Sequence, residues 1–254
     1  MSNTNDIEIK NATDKRSSNE DIPKFTLPYI AICEEYENNI LACYLPTSSS
    51  KIITIPEDVT AIDQYAFDWD DFSVFWKEEY GEALQCPDDL GTKFIEKIML
   101  NKKLKCIEND AFLGLDNLKV IEVDKENPYF VGGDTLFETR RNEFSHWRFI
   151  WCSSAKTGDY QVPSHICTID PKAFANSKLN SVTMLEDVSF IFEDSFENCR
   201  NLTLKGYAGS YVEKYAKENG MPFEAIELVI KGYAGGFAEK YAKENGFPFE
   251  AIEE

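Results

Sequence analysis

The feature that most constrains how this chain can fold is an internal repeat. Four segments share the pattern Φ-x-Φ-x-x-x-Φ-x-x-I-x-x-x-A/S-F, where Φ is an apolar residue, and a shorter match covers 118–123. The last two full segments end 22 residues apart, at Phe174 and Phe196. A period of this length is typical of solenoids, whose units stack along one axis. The four segments span 53–67, 98–112, 160–174 and 182–196.

The pattern inside each unit indicates its local structure. The opening Φ-x-Φ alternation predicts a short strand, because strand side chains point to opposite faces in turn. The following Φ-x-x-I predicts a second short strand or a tight turn that faces inward. One unit of about 22 residues cannot bury its own apolar edge, whereas stacked units share a continuous core. The sequence therefore predicts a solenoid.

These units resemble leucine-rich repeats of the BspA-like type, whose usual line is similar to LxxIxIPxxVxxIxxxAFxxCxxL. The residues depart from that line at Asn101 and Leu185, which replace its proline, and at Ser195, which replaces its alanine. The resemblance implies a leucine-rich-repeat solenoid: a right-handed superhelix of mainly short parallel strands with few short helices, α/β in class. For function it implies only a scaffold on which partners are recognised.

The repeats also indicate how the chain is organised. Residues 1–22 are polar and charged, which predicts a disordered tail. We expect an N-terminal hairpin over 23–50 and leucine-rich repeats over 51–205, interrupted by insertions at 68–94 and 124–157. The remaining segment, 206–254, is a duplicated capping repeat, because residues 206–227 recur at 232–253 with four differences.

The first copy of this ending has the signals of a strand, a helix and a returning strand. Ser210 is placed as an N-cap, and Glu213 completes a capping box. Asn219-Gly220 ends the helix, and Pro222 prevents its continuation. Such a unit would cover the open end of a solenoid. Two interpretations of the duplication stand: a doubled cap, or a repeated aromatic binding surface formed by Tyr207, Tyr211, Tyr233 and Phe237.

Charge and composition exclude several classes of partner. The formal net charge of −19 repels phosphate backbones and anionic membrane surfaces, so we expect no nucleic-acid partner. No apolar run approaches the roughly 18 residues that span a membrane, so no membrane insertion is expected. The start of the chain has no cationic segment followed by an apolar one, which favours a cytoplasmic location by default. A cell-surface or secreted location is the alternative.

The sequence offers no catalytic, cofactor or metal site by motif. There are two histidines, and neither lies in an HExxH, GxSxG, P-loop or GxGxxG pattern. The seven cysteines include no CxxC pair, which favours reduced, buried thiols. A cysteine hydrolase built on Cys152 and His146 is the alternative from the enzyme class. The segment around Cys152 is better interpreted as an apolar strand with an inward-facing thiol.

The expected function is that of a non-catalytic protein-protein interaction module with an unidentified protein partner, and a monomer is favoured. The alternative within binding is an adhesin for a host or matrix protein. Two surfaces are candidates: the concave sheet, formed by the x positions of the first strands, and the aromatic residues of the insertions. The candidate partner-binding residues are Trp69, Phe72, Trp76, Lys97, Met99, Glu122, Trp147, Gln161 and Thr183.

Overall fold

A computed structural model of the chain describes residues 7–9, 29–35, 38–70, 73–74, 77, 90–139, 147–199, 201–246 and 248–252. Of the segment expected to be a disordered tail, the described part is β1 (Ile7–Ile9), a strand. It pairs antiparallel with β2. Its Ile-Glu-Ile alternation suits a strand at the edge of a sheet, which explains the difference from the expectation.

The N-terminal hairpin consists of β2 (Tyr29–Glu35) and β3 (Asn38–Leu45), which pair antiparallel. Leu41, Cys43 and Leu45 alternate with less buried residues along β3 and face the core. β3 then pairs in parallel with the second strand of the first repeat. The hairpin thus covers the N-terminal end of the stacked units.

Each repeat unit contributes a first strand and a second strand, and the second strand is the shorter one in every unit but the third. Strands of one kind pair in parallel with those of neighbouring units, which confirms the predicted α/β leucine-rich-repeat fold. The first strands are β4 (Ile52–Thr54), β6 (Lys97–Leu100), β8 (Val120–Val123), β12 (Thr157–Gln161), β14 (Lys178–Thr183) and β16 (Thr203–Tyr207). The second strands are β5 (Ala61–Ile62), β7 (Cys106–Ile107), β11 (Arg148–Cys152), β13 (Thr168–Ile169) and β15 (Phe190–Ile191).

Both ladders of strands are interrupted at the third unit. The first strands form one sheet of β4, β6 and β8 and another of β12, β14 and β16, which β17 extends. The second strands divide one unit earlier, with β7 of the second unit in one sheet and β11 of the third unit in the other. The buried apolar residues form two clusters that also divide near this point.

The segment expected as the second insertion, 124–157, supplies the strands β9 (Phe130–Val131), β10 (Thr135–Glu138) and β11. β9 and β10 form a hairpin, and β10 pairs antiparallel with β11. β11 also pairs in parallel with β13, so it occupies the second-strand position of the third unit. The first insertion leads into a short 3-10 helix, Thr92–Phe94.

A column of phenylalanine rings runs through the units, at the A/S-F position and, in the third unit, at Phe149 of β11. The centroids of Phe149 and Phe174 are 4.6 Å apart, and those of Phe174 and Phe196 are 5.0 Å apart, with nearly parallel planes. Phe67 and Phe112 stack in the same way at 6.1 Å. Burying these rings is the largest apolar contribution of each unit, and their stacking fixes how neighbouring units pack.

The duplicated ending forms two similar units. The first consists of α1 (Tyr211–Glu218) and β17 (Phe223–Ile226), which returns in parallel beside β16. The second consists of β18 (Ile230–Gly232), α2 (Phe237–Asn245) and β19 (Phe249–Ala251). β18 and β19 form a two-stranded sheet of their own. We call these the first cap (207–227) and the second cap (228–252).

Candidate functional site

The concave sheet positions its outward-facing side chains in two rows. In the first sheet, Ile52 lies opposite Lys97 and Lys97 opposite Val120, while Thr54 lies opposite Met99 and Met99 opposite Glu122. Intervening residues such as Ile98 point into the core and are fully buried. The parallel register thus brings Lys97, Met99 and Glu122 together on one face. Ile52 and Met99 are exposed apolar residues there, at 52% and 39%.

The second concave sheet continues the rows with more polar residues. Asp159, Ser181 and Thr203 are opposite one another, as are Gln161, Thr183 and Lys205. Ser181 is buried instead of exposed, because a bulge precedes it and its hydroxyl donates to Asp159 Oδ1 at 2.8 Å. Sequence reasoning missed the last two members of the row, Lys205 and Glu224, because they follow the last full copy of the repeat.

Ion pairs cross both halves of this face. Lys97 Nζ lies 2.6 Å from Glu122, and Lys205 Nζ lies 3.1 Å from Glu224. Exposed pairs of this kind contribute little to stability, so their carboxylates and ammonium groups can exchange partners at small cost. The candidate residues of the concave face therefore form a polar strip with one apolar patch at Ile52 and Met99.

The aromatic candidates of the insertions lie in different surroundings. Trp147 is partly buried against the second core cluster, and its ring meets that of His165 edge-on. Trp69 is half-buried. Phe72 and Trp76 lie outside the described residues. The structure brings none of the described insertion tryptophans onto the concave rows, since neither pairs with a first strand.

The first cap closes the C-terminal end of the solenoid. Ser210 Oγ accepts from Glu213 N, as the predicted N-cap requires. Glu213 accepts in turn from Gly209 N at 2.6 Å, so the return bond of the predicted capping box goes to the residue before the N-cap. Val212 and Tyr215 are buried against the second core cluster. The Tyr215 hydroxyl also donates to the carbonyl oxygens of Phe192 and Glu193, at 3.2 and 3.1 Å. Its burial raises the pKa of Tyr215 to about 12.

The second cap has the same helix and returning strand but leaves its aromatic face exposed. Phe237 is 82% exposed and Tyr233 57%, whereas Tyr215 of the first cap is only 5% exposed. Among the described residues of the second cap, Ala242 is the one buried apolar residue. Half of the exposed large apolar residues that the structure describes belong to this cap: Leu228, Val229, Tyr233, Phe237, Tyr241 and Ile252.

The length of the connection explains why the two caps differ. β17 ends at Ile226 and β18 begins at Ile230, so three residues join them. Parallel neighbours need a crossover of about a dozen residues or more. β18 therefore cannot lie beside β17 as the next strand of the ladder. The second cap repeats the shape of the first without a solenoid end beneath it.

The Cys152 thiol, the candidate nucleophile of the enzyme alternative, is part of the protein core. Cys152 is buried at the end of β11, as the sequence predicts for an inward-facing thiol. Burial raises its pKa to about 12, which disfavours the thiolate that a nucleophile needs. His146 lies outside the described residues. Within the described ranges, no cluster of three metal-ligating side chains occurs, and no helix is long and apolar enough to cross a membrane.

Stacked two-strand units with an internal phenylalanine column define the class of this protein as a leucine-rich-repeat solenoid. Comparison with known families agrees: residues 92–203 match the BspA type leucine rich repeat region in six copies. The repeats within 92–203 thus match the BspA type that the sequence resembles. Comparison with curated proteins found no match.

Several solved structures are similar to parts of this chain. A leucine rich cell surface protein from Faecalibacterium prausnitzii A2-165 is 21% identical, with a TM-score of 0.42, over 62% of this chain and 41% of that chain. A leucine-rich repeat protein from Eubacterium ventriosum ATCC 27560 is 19% identical, with a TM-score of 0.42, over 62% and 42% of the two chains. This chain thus spans about two fifths of the length of these proteins.

Proposed function

We propose that this protein is a non-catalytic interaction module that binds a protein partner through the exposed aromatic face of its second cap. The observation that carries the proposal is the contrast between the two caps. In the first cap, α1 buries Val212, Tyr215 and Ala216 against the protein surface at the end of the solenoid. The equivalent residues Ala238 and Tyr241 of the second cap are more exposed. Phe237 and Tyr241 stack with their ring centroids 6.3 Å apart, and exposed aromatic surface of this kind is typical of a protein-binding site.

The residues of the concave sheet and of the insertions are proposed as additional contacts. Along the sheet these are Lys97, Met99, Glu122, Gln161 and Thr183. Met99 and Ile52 give this face exposed apolar surface beside polar and charged residues, and binding surfaces combine the two. In the insertions the proposed contacts are Trp69, Phe72, Trp76 and Trp147.

Site-specific photocrosslinking tests the proposal in cells of the source organism. A photoreactive phenylalanine is placed at Phe237, and a matched control carries it at Phe190, an exposed phenylalanine of β15. We expect a discrete protein crosslinked from position 237 and not from position 190. Equal crosslinking of the same protein from both positions would contradict a specific binding surface on the second cap.

The captured protein then allows the contact residues to be ranked. Exposed aromatic side chains that become buried in an interface often contribute about 2 kcal/mol or more. We therefore expect Phe237→Ser with Tyr241→Ser to weaken the affinity at least about tenfold. Phe190→Ser should leave the affinity unchanged, and Met99→Ser reports on the concave sheet. If the double variant bound with wild-type affinity, the second cap would be excluded as the binding surface.

The cellular location of this interaction is part of the same proposal. The default expectation is a cytoplasmic partner, and the alternative is a partner met at the cell surface. External protease added to intact cells, with lysed cells as the control, distinguishes the two. Protection until lysis agrees with a cytoplasmic partner, whereas removal from intact cells would overturn the default and favour the adhesin function.

A further inference from the structure

The strand β16 and the first cap cover one end of the fifth unit, which we call the end surface (181–184 and 190–196). β16 pairs in parallel with β14 of that unit. Its Leu204 is fully buried, and the N–H of Met184 donates to the carbonyl oxygen of Lys205 at 2.8 Å. The ring centroid of Tyr215 lies 6.0 Å from that of Phe196. The end surface therefore binds backbone groups of β16 and a small set of apolar side chains.

The same contact residues recur in the second copy, 26 residues later. Gly206 is one of them, and a Cβ at this position would lie 3.2 Å from the carbonyl oxygen of Met184. The second copy also has glycine there, Gly232. The second copy thus has the residues that the end surface binds. The equivalent pairs are Leu204 and Ile230, Lys205 and Lys231, Gly206 and Gly232, Tyr215 and Tyr241, and Ala216 and Ala242.

Two differences between the copies make the second cap the weaker occupant of the end surface. Val212 is fully buried in the first cap, and the second copy has Ala238 at this position, which would leave a space unfilled. Ser210 makes a capping bond, whereas Gly236 has no side chain to make one. Neither of these two differences adds a charge or a larger side chain. The second cap can therefore take the same position with lower stability.

The chain between the fifth unit and the second cap is long enough for such a replacement. β18 can enter the end surface only when β16 and the first cap leave it, and the residues between then form a loop. The cost of closing a loop grows slowly with its length, so the 26 further residues are tolerated. β17 leaves together with the first cap. The three-residue connection that keeps β18 from lying beside β17 therefore does not prevent the replacement.

From these correspondences we infer that the end surface accepts either cap of this chain. In a minor form of the protein, β18, α2 and β19 take the places of β16, α1 and β17, and the first cap becomes the exposed one. Whatever stabilises one form more than the other shifts the balance between them. The major form is favoured by Val212, by the Ser210 capping bond and by the shorter connection. The inference does not depend on whether the second cap binds another protein.

Matched substitutions in the full chain test this replacement. Tyr215→Asp places a carboxylate in a buried position of α1 and should expel the first cap from the end surface. Tyr241→Asp is the same change in α2, where the side chain is 45% exposed, and by itself should leave the urea midpoint unchanged. We expect the double variant to unfold at a lower urea concentration than Tyr215→Asp alone, because neither cap can then cover the end surface. Equal midpoints for Tyr215→Asp and the double variant would overturn the inference.

Amide hydrogen exchange identifies which cap covers the end surface. In the Tyr215→Asp variant, hydrogen exchange in 239–246 should be at least about tenfold slower than in the wild type, while 213–220 loses its protection. Unchanged hydrogen exchange in 239–246 would contradict the replacement. If Tyr215→Asp does not fold, Tyr215→Ser with its match Tyr241→Ser takes its place.

Two protein concentrations distinguish the chain's own second cap from that of another copy. Replacement within one chain predicts the same hydrogen exchange in 239–246 at both concentrations. Protection that increases with protein concentration would show that the second cap comes from another copy, and it would overturn replacement within the chain.

Discussion

At the scale of single residues, two asparagines with little or partial exposure bind successive units together. Asn101 Nδ2 donates to the carbonyl oxygens of Pro56 and Val59, at 2.6 and 2.9 Å. Asn127 repeats this one unit later, donating to the carbonyl oxygens of Asn101 and Leu104, both at 2.9 Å. The repeat usually has proline where this chain has Asn101. The asparagine has a structural role here, because its side chain donates hydrogen bonds to backbone carbonyl groups of the turn.

Changing Asn127 to Asp should be strongly destabilising. The new carboxylate would face two carbonyl oxygens without a donor, and unsatisfied buried groups cost roughly 1 to 3 kcal/mol each. We expect the free energy of unfolding to fall by about 3 kcal/mol or more. Urea denaturation measures the change. Asn117→Asp is the matched control, since Asn117 is exposed and donates to one carbonyl oxygen. Equal losses of unfolding free energy for the two variants would contradict the role of Asn127 in joining successive units.

Arg148 is the residue that joins the two halves of the second-strand ladder. Its guanidinium group donates to Ile107 O at 2.9 Å and to Asn109 Oδ1 at 3.0 Å on one side. On the other side it binds the carboxylate of Asp170. Burial raises the pKa of Asp170, and Arg148 opposes that rise. Where the strands themselves do not pair, this side chain supplies the hydrogen bonds.

Arg148→Met should destabilise the protein in a pH-dependent way. The variant leaves Asp170 buried without its cation, which costs roughly 3 to 5 kcal/mol when the carboxyl group is ionised. A carboxyl group whose folded-state pKa is raised is tolerated while protonated and becomes destabilising as the pH rises past its unfolded value. The loss should therefore be larger at about pH 7 than at about pH 4, which is close to the unfolded-state value of an aspartate. Denaturation at both pH values measures it.

The double variant Arg148→Met with Asp170→Leu is the control for this prediction. It removes the buried charge together with its partner, so most of the lost stability should return and the pH dependence should disappear. A loss for Arg148→Met that is the same at both pH values would show that Asp170 does not titrate in this range.

At the scale of elements, the two caps have nearly the same sequence and different roles. The first cap uses α1 to bury the end of the second core cluster, whereas α2 packs mainly on β18 and β19. Helix packing of this kind, more than helix propensity, determines the stability of short helices. The N-cap supports the difference, because Ser210 makes its capping bond and Gly236 has no side chain to make one.

Truncation should separate the roles of the two caps. A chain that ends at Glu227 retains the first cap and should lose less than about 1 kcal/mol of unfolding free energy, because the second cap buries little. A chain that ends at Gly209 exposes the second core cluster and should lose about 3 kcal/mol or more. Thermal or urea unfolding checks both. Similar losses for the two truncations would show that the second cap also packs on the solenoid.

The elements show how far the sequence could predict this fold. Alternation at Ile53, Ile98 and Val182 predicted first strands that the structure contains, because strand periodicity is local. The role of Arg148 depends on partners more than twenty residues away, which leave no local pattern. For the candidate site, the repeat pattern predicted which residues form the rows of the concave face. It did not predict the exposure of the second cap, because that depends on the three-residue connection between β17 and β18, whereas the two copies have nearly the same sequence.

At the scale of the whole molecule, the chain is a solenoid closed at one end by a hairpin and at the other by the first cap. A stack of this kind is approximately a sum of units and their interfaces. The net charge of −19 gives the molecule a negative field that favours basic or neutral partners. We propose the second cap as the surface that recognises such a partner.

Amide hydrogen exchange in the full chain, followed residue by residue by NMR, tests the central claim most directly. Both caps contain the identical run EKYAKENG, at 213–220 and 239–246, so nearest-neighbour effects on intrinsic exchange are nearly the same within it. If the first cap is packed and the second offers its face to a partner, the first run should exchange far more slowly. Equal protection of the two runs would contradict the account, because it would mean that the second cap is already covered.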